Sequence, residues 1–396
     1  MERGNLKLNN PERFAGVYEI PMEKVDAAIE KACGKIAANI DKYKSSFIQN
    51  NYKRPDTYVY DWGENNSWIT GMQTGSLVLA YELTKDQKFL DAALSHLPSY
   101  RSRVDTKLKM QDHDVGFFMC PSCVALYKLT GNEEARRIAL DAAEYFYDYS
   151  YSEKGGFILL VADGIPYIGV RTIMDTVINS PLLLWAGLET GNQKYIDAGV
   201  SQITTTEKHL MRADGSTYHH FLFDTETYEP IRGLTYQGNR DESCWGRGHT
   251  WGLMGVPVVY EYNHDPKLIA MHHDLAYYLL NHLPEDNVLY WDFDFTSGDE
   301  ARDSSSCVIA ATGLMDMAYQ LPDSSPDKQI YRNAAAMMLE AVIDNYTGDI
   351  GRPYDGLIWG VTGAKNLCVE TCGTYGDYPY LEALVRYKNP AFKRLR

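Results

Sequence analysis

The sequence predicts an all-α protein in which six helical hairpins close into a ring, an (α/α)6 barrel, in a single domain spanning residues 1–396. Three observations lead to this fold. Apolar residues recur at helical spacing about twelve times, the predicted helices pair across a repeated short connection, and no linker or change of composition divides the chain. Residues 1–20, which precede the first helical pattern, are expected to form a short N-terminal extension.

Amphipathic helical segments recur along the whole chain. In the first of them, after Pro21, the residues Val25, Ile29, Ala32 and Ile36 follow one another at steps of three or four, which places them on one helix face. The same spacing predicts about twelve helices, near residues 23–43, 69–83, 86–104, 116–129, 132–149, 175–189, 192–210, 246–262, 266–283, 304–320, 326–346 and 378–388.

A recurring short connection joins the predicted helices in pairs. Thr130-Gly131-Asn132 and Thr190-Gly191-Asn192 each end one helix and begin the next with an asparagine N-cap. Repetition at intervals of about 45–70 residues predicts helical hairpins, and six hairpins are the content of an (α/α)6 barrel. An open α-solenoid is the structural alternative, but its repeats are shorter and more regular.

The connections before the even-numbered helices are longer and carry most of the chemically reactive side chains. These helices run parallel in an (α/α)6 barrel, so their N-termini meet at one rim, where free backbone N–H groups favour an acidic ligand. We therefore expect a single cleft formed by residues 65–68, 112–117, 171–175, 237–247, 302–306 and 375–378.

Two aspartates in these connections, Asp114 and Asp175, are the strongest candidates for catalysis. Asp175 lies within an apolar run, directly after Met174, where loss of hydration favours the protonated acid. A helix N-cap is the alternative interpretation of Asp175. Core packing is the corresponding alternative for Trp68 and Trp251 in the same connections.

The composition limits the partners and the location. The formal net charge is −15, and so acidic a protein repels phosphate backbones, which argues against nucleic acid as a partner. No run of about 18 apolar residues occurs, so we expect no membrane span. The seven cysteines are odd in number and dispersed, which favours a reducing compartment. We expect a cytoplasmic protein, periplasmic only if a signal peptide has been removed, acting as a monomer or homodimer.

Neither a cofactor nor a metal ion is predicted. Cys120 and Cys123 form an isolated Cys-x-x-Cys motif without the βαβ context of a redox site or further zinc ligands, so we interpret it as structural. The histidine pairs at 219–220 and 272–273 and the acidic residues around 112–114 lack the spacing of metal-binding motifs. No phosphate-binding or dinucleotide-binding fingerprint occurs.

One ordered set of motifs covers nearly the whole chain. It comprises His113-Asp114-Val115-Gly116-Phe117, Ile173-Met174-Asp175, Asn179-Ser180-Pro181, Ser216-Thr217-Tyr218-His219, Trp245-Gly246-Arg247-Gly248-His249-Thr250-Trp251-Gly252, Arg302-Asp303-Ser304-Ser305 and Gly376-Asp377-Tyr378. With these motifs in this order, the sequence resembles the unsaturated glucuronyl hydrolases, a glycoside hydrolase family of (α/α)6 barrels.

The resemblance implies hydration of a sugar double bond and not direct attack on the anomeric carbon. Polysaccharide lyases leave a C4=C5 double bond on the terminal uronic acid. Members of the family protonate C4, add water at C5 and release the remaining sugar when the ring opens. The family's acid/base residue matches Asp175 and its second essential carboxylate matches Asp114. The residues expected to bind the sugar are Trp68, His113, Tyr236, Gln237, Arg247, His249 and Trp251.

Several positions depart from the family pattern and leave the substrate open. Tyr236 stands where a histidine is common, and His249 replaces a frequent glutamine. Val161 falls where relatives have a tryptophan that stacks on the leaving sugar. The loop 362–365, which ends at Lys365, is a candidate contact for a sulfate on the second sugar.

Three other activities are compatible with the same motifs. An unsaturated rhamnogalacturonyl hydrolase has the same fold and performs the same chemistry on pectin fragments. A sugar epimerase of this fold needs two histidines at the rim, for which His113 and His249 are the candidates. A non-catalytic sugar-binding protein is disfavoured by the presence of both Asp114 and Asp175.

Overall fold

The fold is described from a computed structural model, which covers residues 3–49, 58–160 and 170–392. Helices dominate these ranges. They are α1 (Met22–Tyr43), α2 (Thr70–Thr84), α3 (Gln87–Ser95), α4 (Leu97–Thr106), α5 (Val115–Met119), α6 (Ala125–Thr130), α7 (Glu133–Ser150), α8 (Thr176–Asn179), α9 (Pro181–Thr190), α10 (Gln193–Thr205), α11 (Gly246–Asn263), α12 (Pro266–Asn281), α13 (Ser304–Gln320), α14 (Pro326–Tyr346) and α15 (Thr374–Lys388).

These fifteen segments form the twelve predicted helices, because three of the twelve are interrupted. A break around His96 separates α3 from α4, a π-helical turn at Cys120–Val124 joins α5 to α6, and Ser180 separates α8 from α9. In the part of the chain that the structure describes, the prediction of an all-α barrel is therefore confirmed. The main error in the helix boundaries is at the last helix, which begins four residues earlier than predicted.

The twelve helices form two concentric rings. In the inner ring, α2, α5–α6, α8–α9, α11, α13 and α15 each pack against the next, and α15 closes the ring by packing against α2. The other six helices pack outside them. Inner helices such as α13 are buried on nearly every face, whereas the outer helix α1 buries one stripe that includes Val25, Ile29 and Ile36, as its spacing predicted.

Glycines allow the inner helices to approach one another closely. A Cβ atom on Gly71 of α2 would lie 2.3 Å from the backbone of Phe118, and one on Gly313 of α13 would lie 2.7 Å from the carbonyl oxygen of Leu253 on α11. Any side chain at these positions would force the helices apart, so the tight inner ring depends on glycine here.

The short connections within hairpins have the predicted caps. The Asn132 side chain accepts a hydrogen bond from Ala135 N at 2.9 Å, and that of Asn192 accepts one from Lys194 N at 3.2 Å. Gly131 precedes the first of these caps with φ of +69°, a left-handed conformation that glycine adopts without a steric penalty.

Seven short strands, which the sequence pattern did not predict, lie in the long connections. They are β1 (Phe47–Ile48), β2 (Trp62–Gly63), β3 (Tyr151–Ser152), β4 (Phe157–Ile158), β5 (Val170–Ile173), β6 (His220–Phe223) and β7 (Pro230–Leu234). β5, β6 and β7 form an antiparallel sheet in which Ile173 pairs with His220. This sheet brings the residues just before β6 next to Asp175.

The N-terminal residues pack along the barrel. The Arg3 guanidinium donates hydrogen bonds to the carbonyl oxygens of Arg212 and Glu207, and Phe14 is buried. The assignment of residues 1–20 as an extension of one domain stays a prediction. Among the described residues, none of the helices has the length and apolar character needed to span a bilayer.

Candidate active site

The N-terminal ends of the inner helices surround a cavity of about 280 Å³. Its walls bring together the connections that precede α2, α5, α8 and α11, and residues of α13 and α15 contact the same walls from behind. Eight of the nine predicted site residues line it: Trp68, His113, Asp114, Asp175, Tyr236, Gln237, Arg247 and Trp251. Four of the six connections predicted to form the cleft line this cavity, and no residue of 302–306 or 375–378 does.

A larger groove, of about 660 Å³, lies at the opposite end of the barrel. It runs between residues 17–22 and the C-terminal ends of α13 and α15. None of the predicted site residues reaches it, so we place the site at the rim with the paired aspartates.

Asp114 and Asp175 each precede an inner helix, but neither carboxyl group caps one. Asp175 stands before α8 and Asp114 before α5, and no backbone N–H of either helix donates to their side chains. Both side chains face the cavity, with exposures of 24% for Asp114 and 13% for Asp175. The N-cap interpretation of Asp175 is therefore wrong.

His113 is held between two carboxylates. Its Nδ1 lies 2.5 Å from Asp112 Oδ1 and its Nε2 lies 3.1 Å from Asp114 Oδ1. Burial alone lowers the pKa of His113, but the charges of Asp112 and Asp114 outweigh it and raise this pKa to about 10. The ring is therefore an imidazolium at neutral pH, which donates a hydrogen bond from Nδ1 to Asp112 and forms an ion pair with Asp114 through Nε2.

Asp175 lies in drier surroundings. Burial raises its pKa to about 6, against the opposing effect of the cations His113 and Arg247. The His219 ring is beside it, with Nε2 at 3.9 Å from Asp175 Oδ1. Burial keeps the pKa of His219 well below its usual value, so this ring is neutral. Both atoms are buried, and neither has a hydrogen-bond partner among the described residues.

The two aspartates are close enough to influence each other's protonation. Burial raises the pKa of Asp114 too, and the negative charge of Asp175 adds to that effect, while the imidazolium of His113 opposes it. Two carboxyl groups in one dry site do not both ionise readily, so one of them keeps a proton near neutral pH. Burial raises the pKa of Asp114 to about 7 and that of Asp175 to about 6, so the two groups titrate as an interacting pair near neutral pH. One of the two singly protonated forms of this pair has Asp114 ionised beside His113 and the proton on Asp175.

Aromatic rings form one wall of the cavity. The Phe117 ring lies 5.1 Å from that of Trp68 and 4.9 Å from that of Trp251, between centroids, and Tyr375 stacks on Trp68 at 5.5 Å. Such rings cover the apolar C–H faces of a pyranose. Core packing explains Trp251 only in part, since its ring is 1% exposed yet its edge lines the cavity.

Arg247 supplies a fixed positive charge to the cavity wall. Its guanidinium carbon lies 4.6 Å from the ring centre of Trp245 and 4.3 Å from that of Tyr375. Nη1 donates to the carbonyl oxygen of Thr362 at 2.9 Å and lies 3.9 Å from Asp303 Oδ2. The guanidinium is thus held in place by two aromatic rings and a backbone carbonyl, and a planar group of this kind suits a carboxylate.

Tyr236 and Gln237 form the outer edge of the cavity. Tyr236 is 61% exposed, and Gln237 Nε2 donates to the carbonyl oxygen of Gly363 at 3.1 Å. This hydrogen bond ties the loop 362–365 to the rim. Val161, the other position at which the sequence departs from its relatives, lies outside the described residues.

His249 is the one predicted sugar-binding residue that the structure does not bring to the cavity. It is fully buried, and its Nε2 lies 2.9 Å from the carbonyl oxygen of Leu275 on the outer helix α12. Arg247 and Trp251 are four residues apart on α11 and share a face, whereas a residue two positions after Arg247 points about 200° away. An epimerase that uses His113 and His249 as its two rim histidines does not fit this geometry.

Two histidines at the site were not among the predicted site residues. His220 lines the cavity, and His219 lies behind it beside Asp175. The sequence showed this pair as a potential metal motif, and His219 as part of a family motif, without assigning either residue to the site. The pairing of Met174 N with the carbonyl oxygen of His219, at 2.9 Å, is what places it here, and local sequence gives no sign of such a contact.

Within the described ranges, one group of side chains has ligand atoms close enough together to hold a metal ion. It consists of Asp112, His113 and Asp114. Both ring nitrogens of His113, however, are already engaged by the two carboxylates. The expectation of no metal and no cofactor stays a prediction.

A helical ring with paired carboxyl groups, a clamped arginine and an aromatic wall in one cleft defines a carbohydrate-active enzyme. A family model described as Glycosyl Hydrolase Family 88 matches residues 29–292. The chain is 38% identical over 386 residues to unsaturated chondroitin disaccharide hydrolase of Streptococcus pneumoniae, covering 96% of each chain. It is 34% identical to unsaturated glucuronyl hydrolase of Bacillus sp. (strain GL1), covering 91% of this chain and 95% of that protein.

Solved structures agree with the sequence relatives. The crystal structure of unsaturated glucuronyl hydrolase from Streptococcus agalactiae superposes with a TM-score of 0.91 at 34% identity, covering 99% of this chain and 98% of that one. The chain belongs to glycosyl hydrolase family 88, so it is a hydrolase that acts on a carbohydrate.

Proposed function

We propose that this enzyme hydrates the C4=C5 double bond of a 4,5-unsaturated glucuronic acid at the non-reducing end of lyase-generated oligosaccharides. The observation that carries the proposal is the pairing of Asp175 with Asp114 in one cavity. Asp175 has its pKa raised to about 6 by burial, and Asp114 contacts the His113 imidazolium. The site thus offers one proton donor and one anion to the same ligand.

Asp175 is the acid in the first step. It donates its proton to C4, and positive charge develops at C5, shared with the ring oxygen. Ionised Asp114 accepts a hydrogen bond from a ring hydroxyl and stabilises that charge. The neutral His219 beside Asp175 adds no positive charge that would favour early loss of the proton.

Asp175 is the base in the second step. Its carboxylate takes a proton from a water molecule, whose oxygen forms the new bond to C5. The product is a hemiketal, which opens to a ketone as the bond between C5 and the ring oxygen breaks. The acetal carbon C1 then exists as a hemiacetal that releases the second sugar. Asp175 therefore first gives its proton to C4 and is then reprotonated by a different proton, from the attacking water.

The cavity wall supports recognition of the acidic sugar. Arg247 is charged, buried and held by two aromatic rings, so it suits the sugar carboxylate. The Trp68 and Trp251 rings suit the opposite, apolar face of the pyranose. Both features favour an unsaturated uronic acid over a neutral sugar.

An unsaturated chondroitin disaccharide is the substrate we favour. Three relatives that are 36–38% identical over 95–96% of their length are named unsaturated chondroitin disaccharide hydrolase. A variant of the Streptococcus agalactiae enzyme has been crystallised with dGlcA-GalNAc6S. In this chain, the exposed Lys365 stands in the loop that Gln237 ties to the rim, and it is our candidate contact for a sulfate on the second sugar.

The location and assembly of the enzyme remain as we expect them from the sequence, a cytoplasmic monomer or homodimer. All seven cysteines lie within the described residues as free thiols, which supports a reducing compartment. No observation favours the alternative activity on rhamnogalacturonan fragments.

A panel of substrates tests the activity. Unsaturated disaccharides from chondroitin, hyaluronan, heparin and rhamnogalacturonan are supplied in turn, and the ultraviolet absorbance of the conjugated double bond is followed. We expect this absorbance to fall fastest with the chondroitin disaccharides. A saturated glucuronide is the control and should not be cleaved. Cleavage of that control, or stable absorbance with every unsaturated substrate, would refute the proposal.

A further inference from the structure

A buried arginine lies directly behind the active-site rim. Arg103, near the end of the outer helix α4, is 2% exposed, and its guanidinium carbon lies 3.6 Å from the ring centre of Phe118 on the inner ring. It makes no salt bridge with any carboxylate in the described part of the chain. A buried cation without an acidic partner is unusual. The hydrogen-bond acceptors of this arginine therefore indicate its role.

The acceptors of Arg103 come from two different rim connections. Nη1 donates to Asn65 Oδ1 at 3.0 Å, to the carbonyl oxygen of Ser67 at 2.9 Å and to Thr70 Oγ1 at 3.2 Å. These acceptors surround Trp68, which is covalently bonded to Ser67. This half of the guanidinium therefore fixes the connection that contributes Trp68 to the aromatic wall.

The other half of the guanidinium holds the connection that carries the catalytic carboxylate. Nε donates to the carbonyl oxygen of Leu108 and Nη2 to that of Lys109, both at 3.0 Å. Five residues further along stands Asp114. All three nitrogens of Arg103 are thus used, and no other side chain type presents donors in such a fork.

The backbone around these two carbonyls has a conformation that needs support. Lys107 has φ of +55° and Lys109 has φ of +50°, both in the left-handed region that residues with a Cβ atom rarely adopt. These two turns aim the carbonyls of Leu108 and Lys109 inward, at the guanidinium. The connection is therefore bent around Arg103, and its course toward Asp114 depends on that side chain.

We infer that Arg103 is a positioning residue for the reaction, which fixes Trp68 and Asp114 relative to each other by bridging their two connections. This inference rests on the proposed function, because it assigns Arg103 to the reaction that these residues perform. Its positive charge also lies within electrostatic range of Asp114, where it favours the ionised carboxylate. Arg103 therefore acts on both the geometry and the charge of the site.

Two variants separate these effects. Arg103→Met removes both the fork and the charge, so we expect kcat to fall about tenfold to a hundredfold, because small misplacements of reacting groups have effects of that size. The acid limb of the kcat/KM profile should also move to higher pH, since Asp114 loses a nearby cation. Arg103→Lys keeps the charge and loses the fork, so kcat should still fall while the acid limb stays in place.

The matched control is Arg101→Met on the same helix. Arg101 is more exposed and pairs with Asp105 and Asp141, away from the rim, so this variant should keep the native kcat and pH profile. Circular dichroism at the assay temperature establishes that each variant is folded.

The outcomes distinguish the inference from the proposed function. If the native enzyme leaves the absorbance of every unsaturated disaccharide unchanged, the proposed function fails. If the native enzyme is active and folded Arg103→Met has native kcat, KM and pH profile, the positioning role is overturned even if its melting temperature falls. If Arg103→Met does not fold, Arg103→Lys decides, and native kcat in that variant overturns the inference.

Discussion

Two aspartates with the same side chain have different chemical tasks because their neighbours differ. Asp114 lies 3.1 Å from the His113 imidazolium, whereas the neutral ring of His219 lies 3.9 Å from Asp175. A cation in contact stabilises a carboxylate, and dry surroundings without one stabilise a carboxylic acid. The division into anion and acid thus follows from His113, which directly precedes Asp114, and from His219, which the start of β6 brings to Asp175.

The pH dependence of the rate follows from this division. Activity requires Asp175 protonated, so kcat/KM should fall as the pH rises through about 6, the raised pKa of that carboxyl. It also requires Asp114 ionised, so the rate should fall again at lower pH. We therefore expect a bell-shaped profile on the acidic side of neutrality, measured with the disaccharide in buffers of constant ionic strength.

A charge-removing variant tests whether the two aspartates set the two limbs of the profile. Asp112→Asn removes a charge that raises the pKa of His113 and of both aspartates. Both limbs should therefore move to lower pH, whereas Asp105→Asn, an exposed change, should leave them in place. A profile that rises continuously to pH 9 would contradict the assignment of Asp175 as the acid.

At the scale of helices, contact between neighbours in the inner ring depends on residues without a side chain. Gly71→Ala would place a methyl group 2.3 Å from the backbone of Phe118, directly behind Phe117 in the aromatic wall. Backbone atoms cannot move out of the way as the end of a flexible side chain can. We therefore expect the free energy of unfolding to fall by about 2 kcal/mol or more. Chemical denaturation measures this loss.

An alanine placed where no neighbour is close provides the comparison. A Cβ atom on Gly34 of the outer helix α1 would meet no atom within 4 Å, so Gly34→Ala should be neutral or slightly stabilising. Equal stability of Gly71→Ala and Gly34→Ala would mean that the inner ring is not packed as closely as described.

The sequence predicted the elements whose causes are local. The N-caps at Asn132 and Asn192 and the twelve helical segments follow from spacing and capping over a few residues, and they were found. The strands β5 and β6 were not, because they are four residues long and pair across about fifty residues of chain. Their pairing places His219 at the site, so this residue was missed as a neighbour of Asp175.

His249 was assigned to the site for a reason that helix geometry corrects. A motif lists residues in order, but a helix turns by about 100° per residue, so only positions three or four apart share a face. Arg247 and Trp251 satisfy that spacing and His249 does not. The helical period, applied within the motif, would have excluded it.

For the whole molecule, the ring explains why residues from four distant connections line one cavity at the rim. Parallel inner helices bring their N-termini to the same end, so the convergence follows from the fold and not from any single motif. The overall charge of −15 works against that site, because the surface repels an anionic substrate, while Arg247 attracts it locally.

The contrast between repulsion by the overall charge and attraction by Arg247 predicts an unusual response of KM to salt. Raising the ionic strength from about 0.01 M to about 0.15 M screens the distant surface charges, but hardly affects the buried contact with Arg247. We therefore expect KM for an unsaturated disaccharide to fall by about twofold or more, with kcat unchanged. The same osmolality of an uncharged solute should have no effect, and a KM that rises with salt would contradict the argument.

The proposed mechanism depends on the donation of a proton from Asp175 to a sugar double bond. The most direct measurement is the initial rate at which Asp175→Asn removes the ultraviolet absorbance of an unsaturated chondroitin disaccharide, beside the exposed control Asp197→Asn on α10. We expect the rate of Asp175→Asn to fall by about a thousandfold, with fold and substrate binding retained, and that of the control to stay native. A folded Asp175→Asn enzyme with a rate within about tenfold of native would show that another group supplies the proton.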